Sequence, residues 1–392
     1  MNSHFNVQNF LLAIFSLLIF QEIAFRIAFP IPEISNFDRS NYIPQAIAGA
    51  KYSHYRNSIW YWESSLDTSH KFVHKLNLYG FRDEEWEVDK SPEKKRVIFI
   101  GDSFLEGVMA DQSETIVEEF KREDKKAEFD VMNLGIMGTG FNSYLKLITD
   151  VLPTFKPDLI CLVIYSNDLS SEHAIIPSNS MIPKYNNPFK PRLLEYMSQY
   201  RKGNAILSRF NFKKNRFLPS IISESSPWYK REKALVENTV PEVRNSMMLG
   251  KMNPFIVDQI LKERNGLLQE PNMDRAFEYL SQLSEKFNVQ LVISYIPARQ
   301  QITNHYYDYD KLSCTKNCPD SLDMTQPIYN KHQGYLEGLC SEHNFSFIDL
   351  TEYIRKKESR EHLYWNYDSH MRGKGYKYIG KVLYKALDSI SE

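Results

Sequence analysis

The chain has 392 residues, of which 42% are hydrophobic and 25% are charged, and its formal net charge is −1 at pH 7. This length and composition suffice for one large hydrophobic core, or for one domain that carries an insertion. A nearly neutral chain has no overall electrostatic field that would draw it onto nucleic acid, so no nucleic-acid partner is expected. The sequence contains no evident internal repeat or low-complexity tract.

The first predicted element is a membrane anchor over residues 1–30. Residues 10–29 are mostly apolar, and as a helix they would span about 30 Å, which is roughly one hydrocarbon core. Glu22 and Arg26 interrupt the apolar stretch near its outer end, where they can pair at i,i+4 close to the membrane interface. A cleaved signal peptide and an amphipathic helix of a soluble protein are the alternatives. The lack of a clear small-x-small cleavage site favours a retained helix with the membrane as its partner.

Residues 31–90 are rich in aromatic and polar residues without strong periodicity, and we interpret them as a lead-in segment that packs on the following domain. The domain itself is predicted over residues 91–392. Short apolar runs in its first half predict buried strands, and amphipathic runs predict helices. These strands lie at residues 97–100, 129–133 and 159–165, and the helices lie at residues 114–122 and 143–152.

Regularity breaks at about residues 170–270, which contain several prolines. We expect an insertion there that covers the site or binds a protein partner. Beyond it, strands are predicted at residues 289–296 and 345–349, and helices at residues 274–287, 328–343 and 373–390. Strands that are apolar on both faces and alternate with helices indicate an α/β fold, in which a parallel sheet is covered by helices on both faces.

The chain has four cysteines. Cys161 lies inside a predicted strand and is expected to be buried. Cys340 lies in a helix-like stretch without an obvious partner. Cys314 and Cys318 stand four apart in a polar loop, where they could form a disulfide suited to an oxidising compartment, or half of a metal site. Two ligands without nearby histidines make a poor zinc site, so no metal is predicted.

Several polar residues follow the predicted strands directly, and ligands of parallel sheets bind beyond the carboxyl ends of the strands. Ser103 follows the first strand of the domain. A serine hydroxyl needs a base to become a nucleophile, and that base is best held by a carboxylate. His370 has Asp368 two residues before it, and Gly373 and Gly375 are expected to permit the turn that brings the two side chains together.

Acyl transfer also needs donors for the negative charge that builds on the carbonyl oxygen. Three candidates stand at the same sheet edge. They are the backbone N–H of Ser103, the backbone N–H of Gly135, which lacks a Cβ that would obstruct a substrate, and the side-chain amide of Asn167. Asp102 and Asp168 are expected to brace their turns rather than to react.

Four blocks of the sequence resemble those of the SGNH, or GDSL-like, hydrolases, and they occur in the same order. The blocks are Gly-Asp-Ser-Phe at residues 101–104, Asn-Leu-Gly-Ile-Met-Gly at residues 133–138, Asn-Asp at residues 167–168 and Asp-Ser-His at residues 368–370. The chain departs from the family pattern at Tyr165, where a glycine usually stands, and at Tyr367, where many members place the acid. A two-residue spacing between acid and histidine is found in branches related to carbohydrate O-acetylation. The anchor followed by Asn-Leu-Tyr-Gly-Phe-Arg at residues 77–82 is similar to membrane-anchored bacterial members.

The resemblance implies a three-layer flavodoxin-like fold with a five-stranded parallel sheet, helices on both faces and an N-terminal transmembrane helix. It implies Ser103 as the nucleophile, His370 as the base and Asp368 as the supporting acid. Ser103, Gly135 and Asn167 would form the oxyanion hole. No cofactor is implied.

The function expected from these features is a serine esterase that cleaves an O-acyl group, such as acetyl, from a glycan or envelope substrate. An O-acyltransferase that uses the same residues and a catalytically silent binding protein are the alternatives. No phosphate-binding glycine loop precedes a helix, which disfavours a nucleotide or flavin site. The anchor leads us to expect a membrane-bound, periplasmic or otherwise extracytoplasmic catalytic domain.

Overall fold

The structure is a computed structural model. It describes residues 7–28, 30–43, 56, 58–64, 66–169, 172–178, 185, 189–194, 215–216, 238–248, 259–314 and 318–391.

The strands of these residues are β1 Ile59–Trp62, β2 Phe72–Lys75, β3 Lys95–Gly101, β4 Phe129–Gly135, β5 Leu159–Tyr165, β6 Asn215–Arg216, β7 Gln290–Ile296 and β8 Ser346–Asp349. The helices are α1 Val7–Ala28, α2 Ser103–Glu106, α3 Ile116–Glu123, α4 Phe141–Phe155, α5 Pro241–Met248, α6 Gln259–Leu268, α7 Asp274–Phe287, α8 Arg299–Ile302, α9 Tyr307–Ser313, α10 Lys331–Glu342, α11 Thr351–Glu358 and α12 Gly373–Ser391. Short 3-10 helices lie at Arg39–Asn41, Gln112–Glu114, Asn304–Tyr306 and Pro327–Tyr329.

Helix α1 is apolar along most of its length. It has 22 residues, its apolar window has a mean hydropathy of 2.0, and none of that window is buried inside the protein. The pair expected near its outer end is formed, with Arg26 Nε 2.7 Å from Glu22 Oε1. By length and composition this helix can cross a membrane, and a signal sequence has the same properties.

Five parallel strands form the central sheet, in the order β4-β3-β5-β7-β8. All five correspond to strands expected from the sequence. Strand β3, the first of these five along the chain, lies inside the sheet between β4 and β5, which is the doubly wound, flavodoxin-like order. The predicted α/β fold with a five-stranded parallel sheet is therefore confirmed.

The side chains of the sheet alternate between two buried layers. Ile98 and Ile100 of β3 belong to a cluster with α4, α7 and α10 on one face. Val97 and Phe99 belong to a second cluster with α3, α6, α11 and α12 on the opposite face. Because successive side chains of a strand point to opposite faces, an entirely apolar strand requires helices on both faces.

The lead-in segment contains a small sheet that the sequence analysis missed. Strands β1 and β2 pair antiparallel, and β6 pairs parallel with the other edge of β1. Each of the first two strands has only four residues. Their buried positions carry Trp60, Trp62, Phe72 and His74 rather than a run of aliphatic residues, so the alternation was too short to stand out.

Much of the predicted insertion at residues 170–270 lies outside the described residues. Within its described part, α6 contributes Ile260 and Leu267 to the second core cluster. That part of the segment therefore packs against the central domain.

The cysteines of the described residues fall into two groups. Cys314 and Cys318 are joined by a disulfide, with their Cα atoms 6.2 Å apart. Cys161 and Cys340 are free and buried. The loop pair is thus a disulfide rather than half of a metal site.

A buried carboxylate joins the lead-in segment to the central domain. Glu106, the last residue of α2, accepts a hydrogen bond from Arg39 Nη2 at 2.6 Å and lies 3.1 Å from His74 Nδ1. All three side chains are fully buried. Burial raises the pKa of Glu106, but the Arg39 charge and the His74 hydrogen bond outweigh it and hold that pKa well below its usual range. Burial, with the nearby Arg82 charge, lowers the pKa of His74 to about 3, so His74 is neutral.

We expect Glu106→Gln to lower the free energy of unfolding by about 3–5 kcal/mol, because it leaves the Arg39 guanidinium buried without its counter-charge. Urea unfolding of the purified chain at pH 7 measures this change. Glu270→Gln is the control, because it removes an ion pair with Lys331 in which both side chains are exposed. That control is expected to change stability by less than about 0.5 kcal/mol. Equal changes in the two variants would contradict a supporting role for Glu106.

Candidate active site

Ser103 lies at the carboxyl end of β3 as the first residue of α2. Asp102 precedes it as the helix N-cap, and its carboxylate accepts a hydrogen bond from the Phe104 amide at 2.8 Å. Gly101 permits close approach of the next strand, because a Cβ there would lie 2.7 Å from the Val163 carbonyl oxygen. This strand–turn–helix arrangement presents the serine hydroxyl at the carboxyl edge of the sheet.

Ser103, His370 and Asp368 form a hydrogen-bonded triad. Ser103 Oγ lies 2.8 Å from His370 Nε2, and Asp368 Oδ1 lies 2.5 Å from His370 Nδ1. The His370 backbone amide also donates to Asp368 Oδ1 at 3.0 Å. The two-residue spacing between acid and histidine therefore brings both groups of the carboxylate–imidazole pair into hydrogen-bond contact.

The acid–base loop, which we define as residues 363–372, turns back on itself. An antiparallel bridge pairs Tyr364 with Met371, and the Arg372 amide donates to the Leu363 carbonyl at 2.7 Å. These backbone pairs place Asp368 and His370 at the tip of the loop.

The expected role of Gly373 and Gly375 in this turn is wrong. Both residues lie in the first turn of α12, and neither has a positive φ. Gly375 is required for packing instead, because a Cβ there would lie 2.8 Å from the Leu363 carbonyl oxygen.

Arg299 supports the acid–base loop by binding its carbonyl oxygens. Its Nη1 donates to the carbonyl oxygens of Asn366 at 2.8 Å and Asp368 at 3.0 Å, and also to that of Trp365. Its Nη2 is paired with the buried carboxylate of Asp310. The sequence analysis did not identify Arg299. It stands three residues after the end of β7, and polar residues that follow a parallel strand were the signal that identified Ser103 and Asn167.

Aromatic rings hold the His370 imidazole in place. The Phe104 ring lies 5.2 Å from it, and Phe104 itself stacks on Tyr165 at 3.8 Å. Trp62 of β1 approaches the imidazole edge-on at 6.0 Å. The His370 side chain is only 15% exposed, so its hydrogen bonds are shielded from water.

Two carboxylates near His370, those of Asp368 and Asp102, differ in the direction of their pKa shifts. Burial raises the pKa of Asp368, but the His370 charge and the hydrogen bonds from His370 outweigh it, so the pKa lies below its usual value. Burial raises the pKa of Asp102 to about 6, against the Phe104 amide, the His370 charge and the Ser103 hydroxyl. The carboxylate that contacts the imidazole directly is therefore the one most stabilised in its ionised form.

The structure does not support Gly135 as an oxyanion donor. Its backbone N–H already donates to Asn133 Oδ1 at 3.0 Å. A Cβ at Gly135 would lie 2.4 Å from the Glu106 backbone nitrogen, so this glycine is needed for contact with α2 rather than with a substrate. Gly138 lies in the loop that follows β4, is exposed, and has a φ of 73°.

The turn after β5 carries Asn167 with its side chain exposed at the sheet edge. Asp168 braces this turn: its carboxylate accepts hydrogen bonds from the Tyr165 amide at 2.8 Å and the Tyr144 hydroxyl at 2.9 Å. Burial, followed by repulsion from Asp102, raises the pKa of Asp168 well above its usual value. Asn167 thus projects from a rigid turn, while Asp168 is occupied by the fold.

The triad can carry out nucleophilic catalysis at a carbonyl group. A neutral imidazole with its Nδ1–H donated to Asp368 leaves Nε2 free to accept the Ser103 proton. Among the residues described above, no group of three or more His, Cys, Asp and Glu side chains is arranged to hold a metal ion.

Comparisons with known proteins give only weak likenesses. No family model and no curated relative matches the chain. The chain is similar to a lipase/acylhydrolase from Enterococcus faecalis, with a TM-score of 0.38 and 12% identity over 76% of this chain and 96% of that chain. It is similar to an acetyl xylan esterase, with a TM-score of 0.36 and 13% identity over 74% of this chain and 99% of that one. A GDSL-like lipase from Bacteroides thetaiotaomicron has a TM-score of 0.33 and 10% identity over 77% and 91% of the two chains. Likenesses with TM-scores and identities this low do not assign an activity to the chain.

We expect Asp368→Asn to lower kcat by about 10⁴-fold, because the amide favours the wrong imidazole tautomer. We expect Ser103→Ala or His370→Ala to lower kcat by about 10⁶-fold. Steady-state hydrolysis of p-nitrophenyl acetate measures the three effects. Asp323→Asn is the control, because the Asp323 carboxylate also accepts the amide two residues ahead, at 3.0 Å, in a loop that contains no triad residue. Full activity of Asp368→Asn would show that Asp368 is not the supporting acid.

Proposed function

We propose that this protein is a serine hydrolase that cleaves ester bonds through an acyl-enzyme, with Ser103 as the nucleophile, His370 as the base and Asp368 as the supporting acid. One observation carries the proposal: Ser103 Oγ lies 2.8 Å from His370 Nε2, while Asp368 Oδ1 lies 2.5 Å from Nδ1 of the same ring. Ser103 stands 267 positions before His370, and a serine so distant in the chain is rarely aligned with a carboxylate–imidazole pair for a purely structural reason.

In the first step, Ser103 Oγ forms a bond to the ester carbonyl carbon while its proton passes to His370 Nε2. The tetrahedral intermediate then expels the alkoxide, which takes the proton from Nε2 and leaves as an alcohol. In the second step a water molecule attacks the acyl-enzyme and gives its proton to Nε2. Collapse of this second tetrahedral intermediate returns the proton to Ser103 Oγ and releases the carboxylic acid. Asp368 stabilises the imidazolium that forms in both steps.

We propose that the oxyanion hole consists of the Ser103 backbone amide, the Asn167 side-chain amide and the Gly138 backbone amide. Gly138 takes the place of Gly135, whose amide is engaged by Asn133. Gly138 is exposed, and its N–H donates no hydrogen bond to another described residue. Such a donor is free to meet a substrate oxygen, and one donor of this kind typically contributes about 3–4 kcal/mol to lowering the barrier.

We propose that α1 is a retained anchor and that the substrate is an O-acylated glycan or another envelope polymer. The outer end of α1 is joined to the rest of the protein, because both Glu22 carboxylate oxygens accept hydrogen bonds from the Arg192 amide, at 2.9 and 2.8 Å. Arg26 Nη2 also reaches the Lys190 carbonyl at 3.5 Å. A signal peptide destined for removal needs no such contacts. The Cys314–Cys318 disulfide suits an extracytoplasmic domain.

We expect a fluorophosphonate probe to label the wild-type protein and not Ser103→Ala, because only an activated serine attacks the phosphorus at an appreciable rate. Ser389→Ala, which removes an exposed hydroxyl on α12, is expected to label like the wild type. Gel fluorescence of the purified proteins measures the labelling. A folded wild-type protein that does not label would favour a catalytically silent binding protein.

We expect the protein to remain in carbonate-washed membranes of a bacterial host and to keep residues 1–28, because a retained helix of this hydropathy does not leave the bilayer. The intact mass of the membrane-extracted protein measures this. A mature protein that has lost those residues would show that α1 is a cleaved signal sequence.

A further inference from the structure

The loop between β1 and β2 carries a carboxylate to the acid–base loop. Asp67 Oδ1 accepts a hydrogen bond from the Asn366 amide at 2.7 Å. The Tyr367 amide donates to both Asp67 oxygens, at 3.1 Å and 2.9 Å. These two amides belong to the residues immediately before Asp368. Residues almost 300 positions apart are thus joined at the point where the acid of the triad is held.

The same hairpin packs on the triad through aromatic side chains. Trp62, near the beginning of the hairpin loop, lies edge-on to His370 at 6.0 Å. Phe72, the first residue of β2, lies 6.0 Å from Trp365 of the acid–base loop. The acid–base loop is therefore held on one side by Arg299 through its carbonyl oxygens, and on the other by Asp67 through its amides.

The position of Asp67 is unfavourable for a carboxylate. Burial and repulsion from Asp368 raise its pKa to about 6, against the opposing effects of the Tyr367 and Asn366 amides and the Arg299 charge. Asp368, Arg299 and the Tyr367 phenol are the titratable and charged groups that face it. A side chain kept only for stability would not be placed beside a second carboxylate, since its ionisation opposes folding.

We propose that Asp67 is a positioning residue of the catalytic centre: by binding the amides of Asn366 and Tyr367, it fixes the Asp368 carboxylate on His370 Nδ1. This proposal rests on the function proposed above. Asp67 touches no reacting atom and acts through the acid–base loop alone.

The direction of the pH effect follows from the raised pKa of Asp67. Above a pH of about 6 the ionised carboxylate is the stronger acceptor for the two amides. As the pH falls through 6 it becomes protonated, and the wild type then resembles a variant that lacks this charge. The effect of Asp67 on the free energy of unfolding has the opposite pH dependence. Because the pKa of Asp67 is higher in the folded than in the unfolded protein, its ionisation lowers the free energy of unfolding as the pH rises through about 6.

The test compares Asp67→Asn with wild type in kcat, KM and thermal midpoint, with p-nitrophenyl acetate as the substrate and fluorophosphonate labelling as a second readout of Ser103. We expect kcat at pH 8 to fall about tenfold to a hundredfold with KM within about twofold, because a small displacement of a triad member slows the chemical step. The ratio of wild-type to variant kcat should shrink toward one as the pH falls below 6. The thermal midpoint at pH 8 should be unchanged or higher.

Asp124→Asn is the matched control. The Asp124 carboxylate also accepts two backbone amides, those of Glu128 at 3.1 Å and Phe129 at 3.0 Å, but it does so at the opposite end of the sheet. This variant should keep wild-type kcat and have a lower thermal midpoint.

Three outcomes would overturn the proposal. Wild-type kcat and labelling in Asp67→Asn, with Ser103→Ala inactive, would reject Asp67 as a positioning residue and leave the proposed function standing. A loss of kcat that is constant across pH and accompanied by a lower thermal midpoint would assign Asp67 a purely structural role. A wild-type protein that neither hydrolyses the ester nor labels would reject the proposed function itself, and the role of Asp67 with it.

Discussion

The active site depends on the buried Glu106 carboxylate more than on any other single group. Glu106 ends the short helix that begins with Ser103, and it accepts hydrogen bonds from Arg39 at 2.6 Å and from the Met137 amide at 2.8 Å. One carboxylate therefore joins the nucleophile helix, the lead-in segment and the loop that follows β4. A buried charge of this kind requires a paired counter-charge, and Arg39 supplies it with full burial on both sides. The positions of Ser103 and of the loop that contains Gly138 are fixed relative to each other by this contact.

The lead-in segment consequently contributes side chains to the surroundings of the candidate site. It supplies Arg39 and His74 to Glu106, Trp62 to the edge of His370 and Asp67 to the acid–base loop. The segment begins directly after the helix that can cross a membrane. Residues that support the candidate site therefore come from the part of the chain that follows α1.

The sequence predicts the central sheet, which the structure confirms, and it also identifies the three residues that the structure brings into hydrogen-bond contact, because both follow from strong local signals. Entirely apolar strands predict a sheet covered on both faces, and polar residues after strand ends predict the active-site edge. Gly135 is an example of what the sequence does not determine. The sequence indicates that a side chain is excluded at this position, but not whether a substrate or a helix is the group that approaches it. The small sheet of the lead-in segment, with its four-residue strands, is stabilised by contacts with residues distant in sequence. Asp67 is beyond prediction for the same reason, since nothing local distinguishes it from an ordinary loop aspartate.

The carboxylates of the candidate site and of its supporting contacts divide into two groups whose effects on stability oppose each other. The pKa values of Asp102 and Asp67 are raised to about 6, mainly by burial, so both are ionised at neutral pH at a cost to folding of about 3 kcal/mol each. Glu106 and Asp368 have lowered pKa values, and their contribution to stability is present at neutral pH and is lost as the pH falls. In the proposed mechanism, the imidazolium is stabilised by Asp102 as well as by Asp368, because the negative charge of Asp102 interacts with the same ring.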